Sequence, residues 1–239
     1  MDLLFWTQFN PDIVIEASTK QYFDKYFYKL ELYAPGSRVI REDGVITDII
    51  EKRKQFINAV QWQWRRTYDI DNAVPDDLEV LRNLARQAKD LNIKIRVEEP
   101  FIQIYAESES DLKDLVKYNI GSINKKNIRI VNGPASIEAA QAIGEGKIVR
   151  RSSNGFNYKV TIRDGTYSTE VKQGLLNYLT NLGDLVHFTK GQRKMLLNNG
   201  KYIWNMYFYT NDLSINGFVQ VIHPNLIGKI HELVVVPHK

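Results

Sequence analysis

At 239 residues, with 44% hydrophobic and 25% charged residues, the chain has room for one large domain or two small ones and the make-up of a folded protein. It contains no cysteine, which excludes disulfides, thiol nucleophiles and thiolate zinc sites. The net charge of +4 is unevenly spread: residues 1–118 hold 17 Lys/Arg against 21 Asp/Glu, and residues 119–239 hold 15 against 7.

This asymmetry suggests an acidic α+β N-terminal domain over 1–118 and a basic α+β C-terminal domain over 119–239. A basic half points to an anionic partner, nucleic acid first and an acidic protein second. No apolar run approaches about 18 residues, and the opening MDLLFWTQFNPDIVIE has no basic leader pattern. The expectation is a cytoplasmic or otherwise intracellular protein with no membrane partner.

In chain order, YFYKLELYA (Tyr26 to Ala34) alternates as a strand does and is broken by PGS. Gly44 to Arg66 has a helical period, with Ile46, Ile50, Ile57, Val60 and Trp64 on one stripe. Trp62 lies on the opposite side beside Arg65 and Arg66, either packed on another element or free to stack on a base. Pro75 suits the first turn of a helix, where Asp76 and Asp77 complement its dipole. Ile93 to Glu107 reads as two strands about Glu99-Pro100, followed by a helix over Ser110 to Tyr118. A short strand, a brief helix from Ile137 to Gly146, a helix from Thr169 to Leu182 and a strand at Leu185 to Phe188 come next. A helix from Lys190 to Asn199, a strand from Lys201 to Tyr209 and a helical stretch broken at Pro224 complete the chain. Phe101 to Val116 and Met206 to Val221 echo each other: strand, Tyr, small residue, acidic cap, helix. The predicted fold class is α+β, mixed helices with mostly antiparallel strands, in two ferredoxin-like-type halves.

The sharpest local signal is VRRSSNGFNYKVTIR, from Val149 to Arg163. Asn-Gly between alternating runs predicts a two-residue hairpin turn at Asn154-Gly155. That register pairs Arg150 with Lys159 and Arg151 with Tyr158. Tyr158, Val160 and Ile162 share one face with Val149, while Arg150, Asn157, Lys159, Thr161 and Arg163 share the other. Directly opposed cations are unfavourable, and a phosphate backbone or an internal carboxylate would relieve them. A second basic cluster, Lys190, Arg193 and Lys194, sits at the start of a helix whose N-cap is Thr189.

The candidate nucleic-acid-binding residues are therefore Arg150, Arg151, Tyr158, Lys159, Arg163, Lys190, Arg193 and Lys194. Phe156 and Tyr158 are the residues expected to stack. The leading expectation is a non-catalytic protein that binds DNA or RNA, with a protein-protein interaction through the same basic surface as the alternative.

No cofactor, metal site or catalytic residue stands out. HFT (His187 to Thr189) resembles one half of the paired His-x-Thr signature of the 2H phosphoesterases, but the second half is missing. His223 opens HPN and His231 opens HEL. Val235 stands four residues after His231, so a zincin pair is absent as well. Asp164, Glu170 and Lys172 loosely echo the acidic-acidic-lysine set of metal-dependent nucleases, a weaker alternative that needs converging carboxylates.

Overall fold

A computed structural model describes residues 1–59, 70–198, 200 and 202–236. The chain divides into two compact units, Met1–Ala140 and Gln141–Lys239. The first contains 20 Lys/Arg against 22 Asp/Glu and the second 12 against 6.

Among the described residues, the first unit contains five strands: β1 (Val14–Ala17), β2 (Tyr28–Tyr33), β3 (Lys94–Glu98), β4 (Phe101–Ala106) and β5 (Ile128–Gly133). They form one sheet in the order β1-β5-β2-β4-β3, with β1 parallel to β5 and every other pair antiparallel. Helix α1 (Leu3–Phe9) precedes the sheet. Helices α2 (Ile46–Ala59) and α3 (Pro75–Gln87) lie between β2 and β3, and α4 (Glu109–Asp114) lies between β4 and β5. Alternation along β2 and β4 sends Leu30, Leu32, Ile102 and Ile104 to one face. There they join Ile46, Ile50, Leu78, Leu81 and Leu112 in the core. Val60, Trp62, Trp64, Arg65 and Arg66, and with them the stacking predicted for Trp62, lie outside the described residues.

Helix α5 (Ile137–Gly144) leads into the second unit, which holds β6 (Ile148–Arg150), β7 (Tyr158–Ile162), β8 (Gly165–Thr166), β9 (Val186–His187), β10 (Tyr202–Ile203), β11 (Tyr207–Thr210) and β12 (Ile227–Val235). The main sheet runs β6-β12-β7-β11-β9, again with one parallel pair, β6 with β12, at the edge. β8 and β10 form a separate two-stranded ribbon. Helices α6 (Thr169–Asn181), α7 (Lys190–Leu197) and α8 (Ile215–Ile222) contribute Leu175, Leu176, Leu179, Leu196, Ile215 and Val219 to a core with Val160, Ile162, Val186 and Phe208.

The two main sheets share one topology. Numbered within its own unit, each has strand order 1-5-2-4-3 and the same directions. Leaving out the first strand, the remaining four strands of each sheet are antiparallel, with helices after the first and third of them. That is the ferredoxin-like arrangement anticipated from the sequence. The second unit adds the β8–β10 ribbon and α7, which lies between β9 and β11. The echoed segments occupy equivalent places, β4 with α4 and β11 with α8.

Two expectations need correction. The predicted hairpin between Val149 and Val160 does not form, because β12 lies between β6 and β7. Val149 pairs with Val234, and Lys159 pairs with His231. The turn chemistry survives locally: Gly155 takes φ 83°, and Ser153 Oγ accepts from Gly155 N at 3.0 Å. The helical stretch broken at Pro224 is α8, whereas the residues after it, in which no strand was anticipated, form β12, the longest strand among the described residues. Its omission is what made β6 and β7 look like direct neighbours. Among the described residues, no helix is long and apolar enough to cross a membrane.

Candidate nucleic-acid interface

The helices of the second unit cover the Val160 and Phe208 face of its sheet. Strand alternation turns Lys159, Thr161, Tyr207 and Tyr209 the other way. Across the sheet one row reads His187, Tyr209, Lys159, His231, with each residue directly opposite the next. Arg150 pairs with Val235 on β12 and therefore shares this face with Lys159. β12 lies between the two cations, and their partners on it, His231 and Val235, are four residues apart, so Arg150 and Lys159 are separated by two strand spacings across the sheet and about 13 Å along it. The like-charge clash implied by a hairpin is therefore absent.

The rings on this face are gathered closely. Phe156, His187 and Tyr209 have centroids 6.1, 6.2 and 6.4 Å apart and lie 19 to 24° from parallel. Nearly equal spacings mean a triangle of rings rather than a pile. Tyr207 meets Tyr209 edge-on at 5.4 Å. Two side-chain contacts of Asn211 hold Phe156 in place: its Oδ1 accepts from Asn157 N at 2.7 Å, and its Nδ2 donates to Gly155 O at 2.8 Å.

Cations border the rings. The Lys159 Nζ lies 3.8 Å from the Tyr207 ring centroid, and the Arg150 guanidinium lies 5.3 Å from that of Tyr209. Arg150 Nη1 is shielded from solvent and has no hydrogen-bond partner among the described residues. A charged donor left unsatisfied is costly. Burial and the neighbouring Tyr207 raise the Tyr209 phenol above its ordinary pKa, against the opposing pull of Arg150. It stays a neutral hydrogen-bonding ring at physiological pH. The nearest acid on β12, Glu232, is 3.5 Å from Lys147, which also holds Glu145 at 3.0 Å.

The other predicted residues are dispersed. Tyr158 opposes Thr210 and Glu232, so it shares the Val160 face and does not join the ring cluster. Strand alternation places it beside Val160 and Ile162, away from the face on which stacking is expected. Arg151 and Arg163 are exposed just beyond the ends of β6 and β7. Lys190, Arg193 and Lys194 are exposed on α7, whose predicted cap is present: Thr189 Oγ1 accepts from Gln192 N and Gln192 Oε1 from Thr189 N. The Arg193 guanidinium lies 5.2 Å from the Phe188 ring centroid.

His187, Tyr207, Tyr209 and His231 were not among the sequence candidates. The alternation of Tyr207, Phe208 and Tyr209 was the available signal. Asp164 Oδ1 accepts from Asn205 N at 2.7 Å, and Glu170 sits in the first turn of α6. Among the described residues, no group of three His, Asp or Glu side chains is placed to hold a metal ion.

The equivalent place in the first unit is closed. Tyr105 on β4 opposes Lys29 on β2 and Lys94 on β3, as Tyr209 opposes Lys159 and His187. Residues of the β1–β2 connection cover Tyr105: Phe23 at 4.9 Å, Tyr22 at 5.2 Å and Tyr26 at 6.4 Å. Tyr105 is only 4% exposed. Burial, with Tyr105 and Glu16 nearby, pushes the Tyr22 phenol up to about 12. Compared with known proteins, the chain matches no family model, no curated protein and no solved structure.

Proposed function

We propose that this chain is a non-catalytic nucleic-acid-binding protein whose second unit contacts phosphates through the cations bordering its open sheet face. The observation that carries this reading is the group of rings on the open sheet face, Phe156, His187 and Tyr209, with the Arg150 guanidinium 5.3 Å from the Tyr209 centroid. Phosphate oxygens pair with the cations bordering the rings, and neutralising them releases counterions. Rings beside cations favour a polymer that carries bases over an acidic peptide. Arg150 and Lys159 are the central contacts. Arg151, Arg163, Lys190, Arg193 and Lys194 provide longer-range attraction from exposed positions.

The test is fluorescence anisotropy of a labelled mixed-sequence oligonucleotide titrated with the full chain at about 50 and 200 mM salt. Affinity should fall at least tenfold across that range. A double variant carrying Arg150→Glu and Lys159→Glu should bind far more weakly while keeping its thermal unfolding midpoint. Salt-independent affinity, or a double variant that binds as well as the parent, would overturn the reading.

A further inference from the structure

The proposed function leaves strandedness open, and the geometry narrows it. A basic two-stranded ribbon can enter a duplex groove. That device requires β6 and β7 to project as a hairpin, and β12 holds them apart. The remaining surface is a sheet face, with Tyr207 and Tyr209 on its fourth strand and Lys159 beside them on its second. Such a face cannot reach base edges inside a duplex, where the ring surfaces of the bases are already stacked on one another. Unpaired bases have free ring surfaces and can lie on aromatic side chains.

We infer that the second unit takes single-stranded nucleic acid, with bases laid on the Phe156, His187 and Tyr209 rings and an adjacent phosphate on Arg150. This rests on the proposed function and deepens it. The three rings provide nearly parallel surfaces at spacings of 6.1 to 6.4 Å, enough for one or two bases. His187 is exposed and Phe156 half-buried, so both have surface left for a ligand. Phe156 belongs to the β6–β7 connection rather than the core, and Asn211 sets its position. Among the described residues, the closed counterpart around Tyr105 has no such vacancy.

The test compares three labelled probes on the full chain: a single-stranded oligonucleotide, the same strand annealed to its complement, and an abasic strand of equal length. The single strand should bind about five- to a hundredfold more tightly than the abasic one, the range expected for one stacked base. It should also bind more tightly than the duplex. Phe156→Leu should erase the preference over the abasic strand while leaving salt-dependent binding to both, and Phe156→Tyr should restore it. Equal affinity for duplex and single strand, or for abasic and normal strands, overturns the inference and leaves phosphate binding intact. If no probe binds, both readings fall. Should Phe156→Leu prove unstable, the comparison of probes on the parent chain still decides the matter.

Discussion

Lys172 illustrates how a residue's surroundings settle its role. As part of the Asp164, Glu170, Lys172 echo it suggested a nuclease. In the structure it is 3% exposed, and its Nζ donates to the carbonyls of Asn198 and, at 2.7 Å, Gly200. These carbonyls follow the last turn of α7, so the lysine ties the end of that helix to α6. Lys172→Met keeps the aliphatic bulk and removes the donor. The expected loss is about 1 to 3 kcal/mol for stranded buried acceptors, read as a lower urea midpoint. The alternation of β7 was legible at this scale, and it correctly separated Lys159 from Val160. Where Lys172 points was not legible, because its partners lie 26 and 28 residues away.

At the scale of elements, ends were easier to read than partners. Pro75 opens α3, Thr189 caps α7 and Glu99-Pro100 divides β3 from β4, as local chemistry implied. The capping box makes a direct prediction. Thr189→Ala should cost about 1 kcal/mol by freeing the Gln192 N–H, measurable by chemical denaturation, with nucleic-acid affinity little changed. β12 escaped notice for a physical reason. Its period is broken by a bulge between Ile227 and Ile230, and its partners β6 and β7 lie roughly seventy to eighty-five residues upstream. No turn signal announces a strand that inserts between two earlier ones. The Asn154-Gly155 turn was real, but a turn alone does not specify which strands its arms join.

At the scale of the molecule, the units share a topology but differ in electrostatics. In the first unit Lys113 lies 2.9 Å from Asp2 and 3.8 Å from Glu109, and Lys25 lies 3.0 Å from Glu107. Arg150 in the second unit has an unsatisfied Nη1, as Arg53 and Arg82 in the first have an unsatisfied Nε, but its guanidinium also lies beside the Tyr209 ring on the open sheet face. The slope of log affinity against log salt should therefore respond to position rather than net charge. Arg150→Ala should reduce its magnitude by about 0.7, the value for one phosphate on a single strand. Lys113→Ala removes the same charge from an ion-paired site and should leave the slope unchanged. Binding titrations of both variants at four salt concentrations would check this.

By itself the sequence determined the absence of thiol chemistry, the basic second half, most helices with their caps, and the face on which each β7 side chain lies. These follow from hydrogen bonds and periodicities that span a few residues. Tertiary structure decided the insertion of β12, the gathering of Phe156, His187, Tyr207 and Tyr209 from three separate segments, and the closing of the Tyr105 face by Phe23. Those outcomes depend on pairings between distant segments, where the free energy comes from burying a shared surface and leaves little trace in any one local stretch.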